Sequence, residues 1–275
     1  MLEVRGLKVA LPDRGRKPVF GRAPLLEILK GIDLSVAAGE TVGLVGESGS
    51  GKSTLARTLL RLYAPSAGSI VFEGRDITHL DEAALHPLRA HMQIVFQDSQ
   101  SALNPRLTIG TALAEPFLAY GQAVDAAEAL SLARGLLKRV DLPAEFAARY
   151  PHQLSGGQRQ RVGIARAIAL DPRLVVADEI VSGLDVSVQA QILALLRTLR
   201  SETGMALLLI SHDLSVVRAL CERVVVMQHG AVVESGLSVE VFANPQHPYT
   251  RKLLRAIPLP EVDPAWIDAV DLEEG

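Results

Sequence analysis

A short stretch near the start of the chain constrains its fold more than any other feature. Residues 46–54 read Gly-Glu-Ser-Gly-Ser-Gly-Lys-Ser-Thr, which satisfies the pattern G-x-x-x-x-G-K-[ST] of phosphate-binding loops. Residues 41–45, predicted to form a short buried strand, precede the loop, and a predicted helix follows it. Phosphate binding requires a loop between a buried strand and a helix, so the pattern predicts an α/β domain that binds a nucleotide. A chance match in a flexible turn is the alternative.

Each residue type in this loop has a physical role in holding phosphate. Glycines let backbone N–H groups turn towards phosphate oxygens, and the start of the following helix favours an anion. Lys52 is placed to reach the β and γ phosphates, and the Ser53 hydroxyl to ligate Mg²⁺. The candidate ligands of ATP and Mg²⁺ in this loop are Gly46, Glu47, Ser48, Gly49, Ser50, Gly51, Lys52, Ser53 and Thr54.

A second candidate site lies where the apolar run 174–177 ends in Asp178 and Glu179. Ligands bind at the carboxyl ends of buried parallel strands in open α/β sheets. We expect Asp178 to hold Mg²⁺ through water and Glu179 to polarise the attacking water as a general base. Taken alone, this pattern fits an ordinary strand end that faces water equally well.

Strand and helix patterns alternate along the chain, which indicates a largely parallel sheet covered on both faces. The middle third, 124–169, has apolar residues at helical spacing and almost no strand signals, which predicts a helical insertion. Residues 12–24 read as a surface loop. The acidic end of the chain is expected to be mobile. At 275 residues the chain is long enough for one large domain with a sizeable core.

Composition excludes several classes of protein. The formal net charge of -3 argues against a nucleic-acid binder that works by overall charge. The single cysteine, Cys221, excludes an intrachain disulfide and a four-cysteine iron–sulfur cluster, and favours a reducing, cytosolic location. No apolar run approaches the roughly 18 residues that a membrane span needs, and the first residues lack the apolar region of a signal peptide.

A third motif reads Leu-Ser-Gly-Gly-Gln at 154–158, ahead of a helix predicted over 162–169. A serine and two glycines at a helix start make a second anion site, and a plain helix cap is the alternative. Because one triphosphate rarely needs two such helix ends, one explanation is that this surface binds the nucleotide of another copy.

On the basis of these motifs, the chain resembles the ATP-binding-cassette (ABC) ATPases over residues 2–236. The motifs occur in the family's order. They are the phosphate loop at 46–54, Gln97 of the glutamine loop, the signature at 154–158, the Asp178–Glu179 pair, the loop 182–185 that crosses the dimer interface, and His212 as the switch histidine.

The resemblance implies a P-loop NTPase ABC cassette, an α/β fold with a mainly parallel sheet core, an antiparallel β-subdomain and a helical subdomain. Its expected boundaries are 1–97 and 166–236 for the core and β-subdomain, 98–165 for the helical subdomain, and 237–275 for a C-terminal extension.

It also implies a mechanism in which two cassettes pack head to tail around two ATP molecules. Glu179 activates water, His212 contacts the γ-phosphate, and Gln97 senses the γ-phosphate and metal. The implied catalytic residues are Lys52, Gln97, Glu179 and His212. Beyond the phosphate loop, the implied nucleotide contacts are Gln97, Asp178, Asp185 and, from the other copy, Ser155, Gly156, Gly157 and Gln158. The implied Mg²⁺ ligands are Ser53, Gln97 and Asp178.

Three further segments narrow the branch. Residues 95–106, 185–191 and 247–254 resemble segments of the oligopeptide, dipeptide and nickel importers. The alternative is that the three segments are only a loop, a helix start and a terminal helix, respectively. This resemblance implies a paired ATPase subunit (identical or different), two membrane-spanning permease subunits and an external substrate-binding protein. It implies no nucleic-acid partner, and a peripheral location on the cytoplasmic face of the inner membrane.

The sequence departs from the family pattern at three points. The aromatic residue that usually stacks on adenine is absent near Leu11, and Phe20 is the nearest substitute. Ile180 follows Glu179 where the family usually has proline. The single cysteine excludes the iron–sulfur cluster that some relatives carry.

Rival functions are a soluble ABC ATPase outside transport, a module that binds ATP without hydrolysis, and a small-molecule kinase. The single cassette argues against the soluble ATPase. Glu179 and His212 argue against a module without hydrolysis, and the 154–158 motif argues against a kinase.

Overall fold

The computed structural model describes residues 1–13, 23–97 and 102–256. Within them the chain divides into two compact units. The first contains Met1–His86 and the described part of Leu208–Pro260, and the second contains Pro87–Leu207. The expected boundaries of the helical subdomain, 98–165, remain a prediction.

The described residues form the following strands: β1 (Leu2–Pro12), β2 (Leu25–Val36), β3 (Thr41–Val45), β4 (Ala67–Phe72), β5 (Arg75–Asp76), β6 (Met92–Val95), β7 (Leu174–Asp178), β8 (Ala206–Ile210), β9 (Arg223–Gln228) and β10 (Ala231–Leu237). They form the following α-helices: α1 (Lys52–Leu59), α2 (Glu82–Arg89), α3 (Ile109–Ala119), α4 (Ala126–Arg139), α5 (Gly156–Ala167), α6 (Val186–Thr203), α7 (Leu214–Leu220), α8 (Ser238–Ala243) and α9 (Pro248–Ala256). Short 3-10 helices span Ala144–Ala148 and Pro151–Gln153.

The first unit carries two groups of strands. An antiparallel sheet has the order β2-β1-β4-β5, and its strands alternate buried and exposed residues because one face covers a core. In the other group β3 lies between β8 and β9, pairs in parallel with β9, and is buried along its whole length. A strand buried on both faces reads as a mostly apolar run, and residues 41–45 fit this pattern except for the buried Thr41.

The second unit combines a parallel strand pair with helices. β6 pairs with β7 so that Val95 lies opposite Ala177. Helix α4 begins at a cap in which Asp125 accepts a hydrogen bond from the Glu128 N–H at 2.8 Å, and it ends with basic residues that suit its negative end. Helices α3, α4 and α5 pack on one another, and α5 also packs on α6 and β6. Their apolar faces form the core of this unit.

Most predicted elements agree with the structure to within a few residues, and two begin well before the predicted residue. The predicted strands 41–45 and 206–210 coincide with β3 and β8. Strand β2 begins at Leu25 rather than residue 32, because its exposed first half pairs with the end of β1. Pro12, predicted as loop, is the last residue of β1. Helix α5 spans Gly156–Ala167 rather than 162–169, because a side-chain cap starts it before the apolar residues.

The fold is therefore α/β, with parallel strand pairs, an antiparallel sheet and a helical part, as predicted. The acidic end of the chain lies outside the described residues. Among those that are described, no helix is both long and apolar enough to cross a membrane.

Candidate functional site

The phosphate loop begins where the buried strand β3 ends and leads into α1. Gly46 has φ +152°, and a Cβ built there would lie 2.2 Å from the Met227 carbonyl oxygen on β9. Gly51 has φ +102° and precedes the first turn of α1. Glycine is therefore required at Gly46 by close backbone approach and at Gly51 by a backbone conformation that other residues rarely adopt.

Lys52 points its ammonium group back into the loop. Its Nζ donates hydrogen bonds to the carbonyl oxygens of Gly46 (2.7 Å) and Glu47 (2.9 Å), and contacts Ser50 Oγ at 3.4 Å. The residue is only 5% exposed. The loop thus holds a positive charge at its centre, where it is available to an anion.

The start of α1 has the features of an anion site. Gly51, which caps the helix, has no side chain to accept its first N–H groups, and the first turn carries no acidic residue. Ser53 and Thr54 lie in this turn. Because the N–H groups at a helix start and the helix dipole both favour negative charge, this end suits phosphate.

In the second unit, Gln97 and Glu179 are hydrogen-bonded although 82 positions separate them. Gln97 Nε2 donates to Glu179 Oε2 at 2.7 Å. Glu179 follows the last residue of β7, Asp178, which is 3% exposed. Glu179 itself has φ +49°, in the left-handed region that non-glycine residues rarely occupy. The structure therefore brings together an amide and a carboxylate at the carboxyl ends of two parallel strands. The sequence predicted Glu179 at such a strand end but did not predict its contact with Gln97.

The 154–158 motif forms the capped start of α5. Ser155 Oγ accepts a hydrogen bond from the Gln158 N–H at 3.3 Å, and Gln158 Oε1 accepts one from the Ser155 N–H at 3.0 Å. This reciprocal pair is a capping box, so both side chains have a local structural role. A Cβ at Gly157 would lie 2.5 Å from Val188 Cγ1 on α6. The glycine therefore lets the starts of α5 and α6 approach closely.

Asp185 caps α6. Its Oδ1 accepts hydrogen bonds from the Val188 N–H at 2.9 Å and the Ser187 hydroxyl at 2.7 Å. These bonds, from Val188 first and then Ser187, lower the pKa of the Asp185 carboxyl. Asp185 is thus held as a carboxylate beside the signature glycines, and its predicted coupling role stays a prediction.

His212 lies between β8 and α7, in the same unit as the phosphate loop, and is exposed. The Ser211 N–H donates to the Leu44 carbonyl at 3.2 Å, which ties this segment to β3. Of the residues at the departures from the family pattern, Leu11 pairs with Leu26 and Ile180 is buried, whereas Phe20 lies outside the described residues.

One contact of the phosphate loop was missed from the sequence. The Glu47 N–H donates a hydrogen bond of 2.8 Å to the hydroxyl of Tyr249, on α9. The motif that contains Tyr249 pointed to a branch of transporters, and nothing in its spacing relates it to residue 47.

The donor groups fit a magnesium–nucleotide complex. Among the described residues, no group of three or more His, Cys, Asp or Glu side chains is placed to hold a metal ion. Mg²⁺ is usually held by one or two protein oxygens together with substrate phosphates and water. The Ser53 hydroxyl in the first unit and the buried Asp178 carboxylate in the second unit are each an oxygen ligand of that kind.

Comparisons with known proteins agree on one family. A family model described as ABC transporter matches residues 29–182. The chain is 48% identical to a putative peptide import ATP-binding protein of Brucella ovis over 263 residues, which span 96% of this chain and 80% of that protein. It is 48% identical over 260 residues to the glutathione import ATP-binding protein GsiA of Salmonella paratyphi A, covering 94% of this chain and 41% of GsiA.

The fold also resembles solved structures. The dimeric post-hydrolysis state of the ATP-binding cassette MJ0796, bound to ADP and Pi, superposes with a TM-score of 0.76 at 30% identity. The match covers 86% of this chain and 99% of that one.

Proposed function

The chain belongs to the ABC transporter family of ATPases, and we propose that it is the nucleotide-binding subunit of an importer for peptides. Dipeptides and oligopeptides are the favoured cargo, and a nickel or other metal complex is the second cargo class. The observation that carries the proposal is the 48% identity to a putative peptide import ATP-binding protein over 96% of the chain.

The phosphate loop is the proposed binding site for the triphosphate. Its N–H groups and the start of α1 face the phosphate oxygens, and Lys52 neutralises charge on the β and γ phosphates. When Mg²⁺ is bound, it supplies the charge neutralisation that phosphoryl transfer needs. Ser53, Gln97 and Asp178 are its proposed ligands, and Asp178 acts through water.

Glu179 is the proposed general base for hydrolysis. A carboxylate at the end of a buried strand accepts the proton of the water that attacks the γ-phosphate. Gln97, which donates to the same carboxylate at 2.7 Å, orients it. His212 is the proposed contact to the γ-phosphate that holds the geometry of the transition state.

Hydrolysis in this proposal takes place in a head-to-tail dimer. The signature residues 155–158 of one copy close over the nucleotide held by the phosphate loop of the other, and Asp185 couples the two sites. The dimeric state of the similar cassette MJ0796 supports this arrangement. A γ-phosphate that touches both surfaces favours the closed dimer with ATP over ADP.

The proposed partners are a second ATPase subunit and two membrane-spanning permease subunits, with an external binding protein that selects cargo. The chain would then sit on the cytoplasmic face of the cell membrane as a peripheral subunit. The names of the import proteins that it resembles support this assignment.

Co-purification tests the importer assignment. A tagged Glu179→Gln variant is expected to hold ATP and keep the complex assembled, because an amide cannot accept the proton from water. Membranes are solubilised with ATP present, and the retained proteins are identified by mass spectrometry.

Recovery of two membrane proteins and an ATPase subunit is the expected result. A tagged Glu202→Gln variant, changed at an exposed position near the end of α6, is the matched control for loss of one carboxylate. Recovery of the chain alone, or with ribosomes or DNA, would remove the transport assignment and leave a soluble ABC ATPase.

A further inference from the structure

We propose that Tyr249 is a positioning residue for Lys52, and that α9 thereby sets the affinity of the phosphate loop for ATP. This inference rests on the proposed function, because it assigns a role within the same nucleotide site. It is carried by a chain of contacts that joins the Tyr249 hydroxyl to the Lys52 ammonium through one peptide unit.

The first step is the contact at the N–H end of that peptide. The Glu47 N–H donates to the Tyr249 hydroxyl oxygen at 2.8 Å, and Tyr249 is only 5% exposed. Burial is the largest influence on the Tyr249 phenol and raises its pKa. The hydroxyl therefore remains neutral at physiological pH and is shielded from competing water.

The second step is that the same peptide unit holds the lysine. The trans peptide is planar, so the Gly46 carbonyl and the Glu47 N–H point in opposite directions within one rigid peptide plane. The carbonyl end accepts from Lys52 Nζ at 2.7 Å. Rotation of this peptide plane would break both hydrogen bonds. The Tyr249 hydroxyl therefore fixes the direction in which the Gly46 carbonyl faces the Lys52 ammonium group.

Gly46 makes this restraint necessary. Its lack of a Cβ is imposed by the Met227 carbonyl, since a Cβ would lie 2.2 Å from that oxygen. Glycine has wider backbone freedom than other residues, so the following peptide is the one most able to turn. A hydrogen bond from outside the loop removes that freedom before a nucleotide arrives, which lowers the ordering cost of binding.

The third step is the anchor of Tyr249 itself. Glu234 on β10 accepts hydrogen bonds from the N–H groups of Gln246 (2.7 Å) and His247 (3.0 Å). His247 Nδ1 in turn accepts from the Tyr249 N–H at 3.2 Å. Partial burial acts to raise the pKa of Glu234, and the hydrogen bonds that it accepts more than offset this, so the pKa is lowered overall. A carboxylate on a strand therefore fixes the start of α9.

A second contact to Glu47 is weaker. Lys252 Nζ lies 3.8 Å from Glu47 Oε1, and both side chains are mostly exposed. Exposed ion pairs contribute little. The buried Tyr249 hydrogen bond is therefore the contact that the experiment removes.

The Tyr249→Phe variant removes the hydroxyl and keeps the ring. The dissociation constants of MgATP, ADP and AMP are measured by calorimetry on the full chain, together with the melting temperature without nucleotide. One lost hydrogen bond corresponds to about two- to tenfold in affinity. We expect that loss for ATP and ADP, whose outer phosphates Lys52 reaches, and no loss for AMP.

Tyr63→Phe is the matched control, because the Tyr63 hydroxyl lies in the same unit and receives a long hydrogen bond of 3.5 Å from Arg57. Equal ATP affinity in the Tyr249→Phe and Tyr63→Phe variants would overturn the inference. A parallel loss for AMP, or a fall in melting temperature that accounts for weaker binding, would assign Tyr249 a purely structural role and overturn it too. Failure of the unaltered protein to bind MgATP would instead overturn the proposed function and the inference with it.

The anchor provides a second test. Glu234→Gln weakens the acceptor that holds Gln246 and His247, and we expect a smaller loss of ATP affinity than in Tyr249→Phe. If the anchor acts through Tyr249, the double variant binds ATP no more weakly than Tyr249→Phe alone. Additive losses would contradict the proposed chain of contacts.

Discussion

At the scale of single residues, Glu179 combines an unusual backbone with a specific partner. Its φ of +49° is uncommon, but other non-glycine residues, such as Asp141 and Asp171, share a positive φ, so the conformation alone does not identify a site. The hydrogen bond from Gln97 distinguishes Glu179. A conformation that costs free energy persists only where its surroundings impose it, and here it places a carboxylate beside the end of β7.

Replacing Glu179 with glutamine tests its role directly. The variant is expected to lower the rate of ATP hydrolysis by about 100-fold or more, since general base catalysis contributes at least that factor. MgATP affinity should remain close to that of the unaltered protein, because the phosphate loop is intact. Steady-state hydrolysis and equilibrium binding measure the two quantities. Rapid hydrolysis by Glu179→Gln would exclude Glu179 as the base.

At the scale of elements, the starts of α5 and α6 are packed through glycine. Val188 lies in the first turn of α6, whose cap is Asp185, and its Cγ1 is the atom that a Cβ at Gly157 would meet. Valine is stiff at χ1, so it cannot easily move aside. Gly157 and Val188, which are 31 positions apart in sequence, therefore join the two helix starts within the second unit.

The Gly157→Ala variant tests this joint. The 2.5 Å contact with Val188 Cγ1 forces the helix starts apart, and overpacking of this kind costs about 1–3 kcal/mol. We expect a lower melting temperature and slower ATP hydrolysis. Gly163→Ala in the same helix is the control, because its Cβ would meet Val95 at an ordinary 3.8 Å. Adding Val188→Ala to Gly157→Ala should restore stability, and no recovery would show that the contact is not the cause.

A second element-scale feature joins the end of β2 to β9. Arg223 at the start of β9 pairs with Glu40 through hydrogen bonds of 2.8 and 3.2 Å, and the Ala37 N–H donates to the same carboxylate at 2.7 Å. Partial burial acts to raise the pKa of Glu40. The hydrogen bonds from Arg223 and Ala37, with the Arg223 charge, more than offset it, so the pKa lies below its ordinary value of 4.5.

The pH dependence of stability follows from this lowered pKa. A carboxyl group with a depressed folded-state pKa stabilises the fold fully above its unfolded value of 4.5, and this contribution is lost as the pH falls through the folded-state pKa. Glu40→Gln should therefore melt below the unaltered protein at pH 7, and the gap should shrink below about pH 4.5. Glu202→Gln is the exposed control. A gap that stays constant with pH would contradict the assignment.

At the scale of the whole molecule, the sequence predicted what depends on local pattern. A short, mostly apolar stretch between turn signals identified β3, and the glycine and lysine spacing identified the phosphate loop. Family resemblance gave Gln97 and Glu179 separate roles, and their hydrogen bond was found only in the structure. The Tyr249–Glu47 hydrogen bond spans 202 positions, and no periodicity encodes such a pairing. The early start of α5 was missed because a capping box outweighs the low helix propensity of two glycines.

The proposed pairing of two cassettes is tested at the scale of the whole molecule by substituting the signature serine. In the Glu179→Gln background, ATP is expected to convert the chain from monomer to dimer, as measured by light scattering during gel filtration. Ser155→Arg places a long cationic side chain on the surface proposed to close over the partner's nucleotide. We expect it to abolish this dimer and leave ATP binding to Lys52 unchanged.

Ser155 also caps α5, so the test needs a variant that loses only the cap. Ser155→Ala removes the hydroxyl that accepts the Gln158 N–H and adds no bulk. Loss of an N-cap costs about 1 kcal/mol, which is too little to unfold a domain of this size. Ser155→Ala should therefore retain more dimer than Ser155→Arg. Equal loss in both would attribute the effect to the helix start, and loss of ATP binding in Ser155→Arg would contradict separate surfaces for binding and closure.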